Sequence, residues 1–208
     1  MVRAFAGPLC CYYAAADQSA ATVRKGIEVW REDLVGSLEG RVDEASLRWP
    51  EEPDGPVAWG DMGESGWMAL RLLAYYAERT DLDFPDTVPQ LLELDREYRQ
   101  AVDEKFARSR YGQLLPCSVW LPSEFPITVQ VPMPDGETAE IGSLPGLHNQ
   151  LRWLNERTFQ ASLDATAEWV DLPAPAGGEL IPAAQRGFAV LWGVVAEGVR
   201  NGMPVLVG

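Results

Sequence analysis

The side chains that could act as nucleophile and base are few. The chain has one histidine, His148, and three cysteines, Cys10, Cys11 and Cys117. Cys117 and His148 form the one thiol–imidazole pair that we consider, since a cysteine nucleophile needs a base within hydrogen-bonding distance. No activating signature flanks Cys117, so we expect a buried, unreactive thiol and a structural histidine. We expect three free thiols in a reducing, cytoplasmic compartment, because adjacent cysteines do not easily bridge.

Carboxylates offer a second kind of chemistry. Asp61 and Glu64 could act as acid and base beside a pocket lined by Trp59 and Trp67. A divalent cation site would need further carboxylates from another segment, such as Asp83. The sequence has no EF-hand spacing and no glycine-rich phosphate loop followed by lysine. We therefore expect no catalytic set, no cofactor and no metal, and we keep a carboxylate- or metal-dependent enzyme as the alternative.

Acidic residues are concentrated in one part of the chain. Residues 39–104 contain 17 Asp and Glu against six Arg and no Lys, and the whole chain carries a net charge of −14. Such a region repels nucleic acids, whose binding requires neutralisation of phosphates, and attracts a basic protein or a cation. No stretch approaches the length of apolar residues that a membrane span needs. Binding to nucleic acid or to a membrane is therefore not expected.

We interpret the chain as a non-enzymatic, acidic protein that binds a basic partner protein. Small acidic bacterial proteins of this kind often act as immunity proteins or inhibitors of a basic toxin, and arginine in excess over lysine is typical of a GC-rich bacterial genome. A structural or assembly subunit is a third interpretation. The loop over 51–54 is expected to be exposed. The candidate binding residues are the acids Glu51, Glu52, Asp54, Asp61, Glu64, Glu93 and Glu97, and the tryptophans Trp49 and Trp59.

The elements that would position these residues follow from hydrophobic periodicity. Apolar residues recur every three or four positions in segments that predict helices at 20–38, 67–77, 89–108, 143 to about 169, and 182–201. The helix at 67–77 is apolar nearly all round and is expected to be central. Asp17 or Ser19 is the expected cap of the first helix, with Gly40 just past its end, and Gly202 is expected to end the last.

Short runs rich in apolar and β-branched residues predict strands at 117–121, 127–131 and 138–141, and the run at 127–131 alternates apolar with polar residues. Because these strands follow one another closely, we expect an antiparallel meander. A further strand at 204–207 is expected at an edge, since proline cannot donate to a sheet ladder. The predicted fold is α+β, with five to six helices on a small three-stranded antiparallel sheet. We expect one domain over 1–208, with helices over about 17–110, the meander over 115–142 and helices again over 143–208.

Overall fold

The computed structural model describes residues 1–14, 19–38, 47–172 and 178–208. Within these residues the chain forms seven α-helices and a six-stranded mixed sheet, so the predicted α+β class is confirmed. The strands are β1 (Arg3–Ala6), β2 (Ala58–Asp61), β3 (Val119–Leu121), β4 (Val129–Pro132), β5 (Thr138–Ser143) and β6 (Val205–Val207). The helices are α1 (Leu9–Tyr13), α2 (Ala20–Ser37), α3 (Gly63–Ala77), α4 (Arg96–Asp103), α5 (Leu144–Arg157), α6 (Leu163–Glu168) and α7 (Leu180–Asn201).

The predicted three-stranded antiparallel meander is wrong. The sheet order is β2-β1-β6-β3-β5-β4, so β5 lies between β3 and β4. A tight turn joins β4 to β5 as a hairpin, with Gly136 at φ 85° and its N–H donating to the carbonyl of Met133 at 2.9 Å. β3 pairs with the other edge of β5 and runs parallel to it. The meander assumed that strands adjacent in the chain are adjacent in space, a tendency that fails for β3 and β4.

The strand at the C-terminal end of the described chain is central rather than at an edge. β6 lies between β1 and β3 and is antiparallel to both. Pro204 precedes the strand, so its missing N–H removes nothing from the ladder, and its carbonyl accepts from the N–H of Gly7 at 3.2 Å. Neither β1 nor β2 was predicted. Each is only four residues long and is rich in Ala, Gly or Asp, which are depleted in strands.

Both faces of the sheet are covered. Side chains of successive strand residues point to opposite faces, so Val205 packs against one core and Leu206 against the other. One core contains residues of α3, α5 and α7, and the second contains residues of α1 and α2 with Leu47 and Trp49. The sheet is therefore the middle of three layers. None of the helices in the described ranges has the length and apolar character needed to cross a membrane.

Most helices lie where the periodicity and the capping residues place them. Ser19 caps α2 by accepting from the N–H of Thr22 at 3.3 Å, whereas the alternative cap Asp17 and the predicted end at Gly40 lie outside the described residues. α3 is largely buried, as predicted. α7 ends at Gly202, whose φ of 62° is the left-handed conformation expected of a helix-ending glycine.

Two predicted helices are shorter than expected. The segment 89–108 contains a 3₁₀ turn at Leu92–Leu94 and then α4, which begins because the Asp95 carboxylate accepts from the N–H of Tyr98 at 2.8 Å. Leu91 and Leu94 precede this cap and are exposed. The helix from 143 ends at Arg157, and the chain turns through a left-handed residue, Gln160, before α6.

Candidate functional site

Glu51 and Trp49, two of the predicted binding residues, belong to the core. Both are only 3% exposed. The Glu51 carboxylate accepts hydrogen bonds from the N–H groups of Leu9 at 2.9 Å and Cys10 at 3.0 Å, and from the Trp49 indole. These backbone donors are the unsatisfied N–H groups at the start of α1. The prediction that Glu51 is exposed is wrong, because the start of α1 requires an acceptor there.

The two other acids of this loop remain at the surface. Glu52 forms hydrogen bonds of 2.9 and 3.2 Å with the guanidinium of Arg24 on α2, so much of its charge is already compensated. Asp54 is exposed. Of the three acids in the loop, Asp54 is therefore the one most available to a partner.

The remaining predicted acids form two separate groups. Glu64 lies in the first turn of α3, which has 15 residues and is about 22 Å long. Glu97 lies near the other end of α3, where burial, together with the carboxylates of Asp95 and Glu97, raises the pKa of Tyr76. Glu93 precedes α4 at that same end. Within the described residues, these predicted acids therefore do not form one continuous face, and of the two groups the one near Glu64 is close to Trp59.

Trp59 lies on the outermost strand of the sheet and is 52% exposed. Its ring packs on Phe5, with ring centroids 4.5 Å apart, and stacks on Tyr12 at 6.1 Å with an interplanar angle of 19°. Phe5 is fully buried, so the inner side of this cluster is held in the core. The arrangement fixes the Trp59 ring while leaving half of its surface open to a partner.

The backbone of β2 is also open on one side. Arg3 exchanges hydrogen bonds of 2.8 and 3.0 Å with Gly208 on the β6 side of β1. Alternate residues of a strand turn their N–H and C=O groups to opposite edges, so Ala4 turns toward β2 and pairs with Gly60. The N–H and C=O of Trp59 therefore turn to the outer edge, where β2 has no neighbouring strand in the described part of the sheet.

Carboxylates lie at both ends of this strand. Asp54 precedes β2, Asp61 ends it, and Glu64 follows in the first turn of α3. We call the set Asp54, Val57, Trp59, Asp61 and Glu64, all of them exposed, the β2 edge surface. Two cationic groups lie nearby: the chain's amino group is 4.0 Å from Glu64, and Arg3 is the cross-strand neighbour of Asp61.

A small cavity of about 100 Å³ opens beside the first residues of β2. Val57 and Ala58 line it on one side, and Glu197 and Asn201 of α7 line it on another. Its size suits part of one inserted side chain, and the Glu197 carboxylate that lines it is paired with Arg200 on the same helix. The cavity thus adjoins the β2 edge surface at Val57 and adds little unpaired charge to it.

The pocket predicted for carboxylate catalysis, lined by Trp59 and Trp67, is not formed. Trp59 packs on Phe5 in the core beside α1 and α2, whereas Trp67 packs edge-on against Trp120 in the core on the other face of the sheet. Asp61 and Glu64 therefore do not lie in a cleft between the two tryptophans. In the described ranges, no three His, Cys, Asp or Glu side chains come together as a group that could hold a metal ion.

The thiol–imidazole pair is not formed either. Cys117 is buried and burial raises the pKa of its thiol. His148 instead stacks on Trp192, with ring centroids 4.8 Å apart, and burial together with Arg152 lowers the pKa of its imidazole. Burial and the Glu51 carboxylate raise the pKa of the Cys10 thiol to about 12, so it stays protonated near neutrality. All three cysteines are free.

Trp59, Asp54, Asp61 and Glu64 are among the candidate binding residues named from sequence, but the strand that joins them was not predicted. The signal available was the alternation of apolar and small or polar residues over 57–61, which is typical of a short strand. Tyr12 was also missed as a support of Trp59, since stacking across 47 positions leaves no trace in local spacing.

Comparison with protein-family models found no match to this chain. Comparisons with curated proteins and with solved structures found none either. The function must therefore be inferred from the geometry and charge of the residues themselves.

Proposed function

We propose that this chain is a non-enzymatic protein that binds a basic partner protein at the β2 edge surface. The observation that carries the proposal is a rigidly held, half-exposed tryptophan on an edge strand with carboxylates at both ends. A segment of the partner adds as a further strand beside β2, a mode in which main-chain hydrogen bonds supply affinity and side-chain contacts supply specificity.

Each part of the surface has a distinct role in this binding. The Trp59 ring provides the apolar contact, since tryptophan is enriched among residues that dominate interface energies. Its outward N–H and C=O groups pair with the added strand. Asp54, Asp61 and Glu64 attract basic residues and accelerate association, an effect that salt weakens.

The partner that fits this chemistry best is a basic toxin with an exposed, extended segment. An acidic immunity protein or inhibitor would bind it through the β2 edge surface and cover its positively charged surface. The net charge of −14 supports this assignment, because a large opposite charge steers two proteins together quickly.

Affinity measurements on a partner captured from the native host and then purified test the proposal. Trp59→Ala should weaken binding by at least tenfold, since a hot-spot tryptophan contributes about 2 kcal/mol or more. Trp153→Ala is the matched control, because Trp153 is 51% exposed but lies on α5. The proposal is contradicted if the two substitutions have equal effects.

A charge-reversal series tests the electrostatic part. Asp54→Lys, Asp61→Lys and Glu64→Lys together should slow association and make it less sensitive to salt. Glu93→Lys with Glu97→Lys should change association far less, because these two lie at the other end of α3.

Strand addition is tested by hydrogen exchange. Binding of the partner should slow exchange of the Trp59 amide much more than exchange of the Gly60 amide, because the Gly60 amide is already turned toward β1.

A further inference from the structure

Among the described residues, four arginines line one cavity, and this cavity shares no residue with the β2 edge surface. A cavity of about 640 Å³ lies between the ends of α3 and α5 and the segment that follows α4. Its charged lining residues are Arg79, Arg108, Arg110, Arg157, Glu78 and Glu104. Four arginines at one cavity are unusual in a chain with 31 acids against 17 Lys and Arg. We call this cavity the arginine cleft.

Two of these arginines are held in place by neutral groups. The Arg79 guanidinium donates to the Tyr75 hydroxyl at 3.0 Å, and its more distant ion pair with Asp81 is exposed. Arg157 donates from Nε to the carbonyl of Ala77 at 3.1 Å, at the end of α3. Their remaining N–H groups are not used by these contacts, so they are available to a ligand.

The other two arginines have no carboxylate partner. Among the described residues, no acid lies within ion-pairing distance of the guanidinium of Arg108 or Arg110. The acids of the cleft make hydrogen bonds with other groups: Glu78 accepts from the backbone N–H of Arg110 at 2.8 Å, and Glu104 accepts from the Gln100 amide at 3.1 Å. The cleft therefore holds four guanidinium groups against two carboxylates, and neither carboxylate is within ion-pairing distance of Arg108 or Arg110.

The backbone that forms one wall of the cleft is strained. Lys105 and Phe106 have φ of 53° and 51°, a left-handed conformation that non-glycine residues rarely adopt. Phe106 is anchored by its ring contact with Tyr98, with centroids 5.5 Å apart. The two consecutive left-handed residues turn the chain so that the following segment, with Arg108 and Arg110, lines the cleft.

A second cavity, of about 530 Å³, adjoins the first. Arg110 and Arg157 line both, and Tyr111, Trp153 and Glu156 complete the second. Trp153 and Arg157 are four positions apart on α5 and so lie on the same helix face. The exposed indole ring of Trp153 therefore lies next to Arg110 and Arg157, in a second cavity of similar volume.

From this arrangement we propose that the arginine cleft binds a nucleoside di- or triphosphate. The phosphate groups bind to the arginines, because a planar guanidinium group can donate several hydrogen bonds to phosphate oxygens. The base stacks on Trp153, as bases do on aromatic side chains in single-stranded nucleic-acid sites. The proposal is independent of partner binding at the β2 edge surface.

The overall negative charge of the chain is compatible with this ligand. Charges beyond the Debye length of about 8 Å are largely screened at physiological salt, so a small anion inside the cleft responds mainly to the groups that line it, four arginines against two glutamates. A long nucleic acid would extend across acidic surface and be repelled. The site thus selects a small polyphosphate over a polynucleotide.

Isothermal titration calorimetry with ATP, GTP, inorganic triphosphate and adenosine tests the proposal. We expect ATP or GTP to bind more tightly than triphosphate, and triphosphate more tightly than adenosine. Arg108→Gln with Arg110→Gln should weaken binding of nucleotide and triphosphate by at least tenfold. Arg200→Gln, on the exposed end of α7, is the matched control and should change neither. A thermal melt of each variant checks that the fold is retained.

Trp153→Leu separates the two parts of the ligand. It should weaken nucleotide binding about tenfold while leaving triphosphate binding unchanged. Absence of binding by ATP and GTP at 1 mM, or equal binding by the native chain and the double arginine variant, would overturn the proposal. Equal affinity for triphosphate and ATP, with no effect of Trp153→Leu, would overturn the nucleotide assignment.

Discussion

At the scale of single residues, the carboxylate of Glu51 illustrates how a charge can be structural. It is buried and accepts hydrogen bonds from three N–H groups, two from the start of α1 and one from the Trp49 indole. Charge-assisted bonds of this kind contribute more than neutral ones, and removal of the acceptor leaves buried donors unsatisfied. Glu51 thus ties the loop before β2 to α1.

Substitution of Glu51 should therefore destabilise the fold. We expect Glu51→Ala to lower the free energy of unfolding by about 3 kcal/mol, because it leaves three buried donors without an acceptor. Glu52→Ala is the matched control and should cost about 1 kcal/mol or less, since its ion pair with Arg24 is at the surface. Urea unfolding followed by circular dichroism measures both, and equal losses would contradict a structural role for Glu51.

The same pair shows why site residues are hard to predict from sequence. Glu51 and Glu52 are adjacent and chemically identical, and nothing local shows that one meets α1 and the other meets α2. The contact that buries Glu51 spans about 40 positions of the chain. Trp59 is exposed and its role as a binding residue stays a prediction, and its support by Phe5 and Tyr12 also depends on non-local pairing.

At the scale of elements, α3 and α7 approach each other at a pair of glycines. A Cβ added at Gly187 would overlap the carbonyl oxygen of Gly66 and lie 2.7 Å from its carbonyl carbon. The two helix backbones are therefore in direct contact at this point. Any side chain at Gly187 must push the helices apart and disturb the core between them.

We expect Gly187→Ala to destabilise the protein by about 2 kcal/mol, within the range found when extra atoms are forced into a packed core. Gly193→Ala, on the same helix, is the control: a Cβ there meets nothing within 4 Å, and the better helix propensity of alanine should add about 0.5–1 kcal/mol. Chemical denaturation of both variants should show changes of opposite sign. If Gly187→Ala left the free energy of unfolding unchanged, the two helices would have to separate easily.

Helices were predicted better than strands for a physical reason. α2, α5 and α7 have local signals at their ends, such as Ser19, Ser143 and Gly202, that specify where hydrogen bonding begins or stops. β1 and β2 have weak intrinsic preference for strands and exist because β6 and the two cores support them. The order of strands in the sheet is likewise a property of long-range pairing.

At the scale of the whole molecule, charge is unbalanced. The chain has 31 acids against 17 Lys and Arg, and the described residues form only five ion pairs within 4.0 Å. Most acidic side chains therefore repel one another across the surface. Self-repulsion of this kind destabilises a compact state.

Added salt should therefore stabilise the protein at pH 7. Raising sodium chloride from 10 to 150 mM shortens the Debye length from about 30 to about 8 Å, which screens repulsion between distant acids. We expect Tm to rise by a few degrees, measured by differential scanning calorimetry. Potassium chloride at equal ionic strength should act alike, and a Tm that stays constant or falls would contradict net repulsion.

The arginine cleft could not be predicted from composition, because it is assembled from distant segments. Arg79 follows α3, Arg108 and Arg110 follow α4, and Arg157 ends α5. Each arginine alone resembles an ordinary surface cation in an acidic sequence. Only the packing of the three segments brings the four guanidinium groups to one cavity.

The central position of β6 constrains the order in which the sheet can be assembled. β1 and β2 can pair early, and β3, β4 and β5 can pair among themselves, but these two ribbons share no direct contact in the sheet order. They are joined only when Val205–Val207 inserts between β1 and β3, about 200 residues after β1 in the chain. During synthesis, the inner edges of both ribbons must stay unpaired until this segment has left the ribosome. The interval before β6 arrives is when edge-to-edge misassociation competes most strongly with folding.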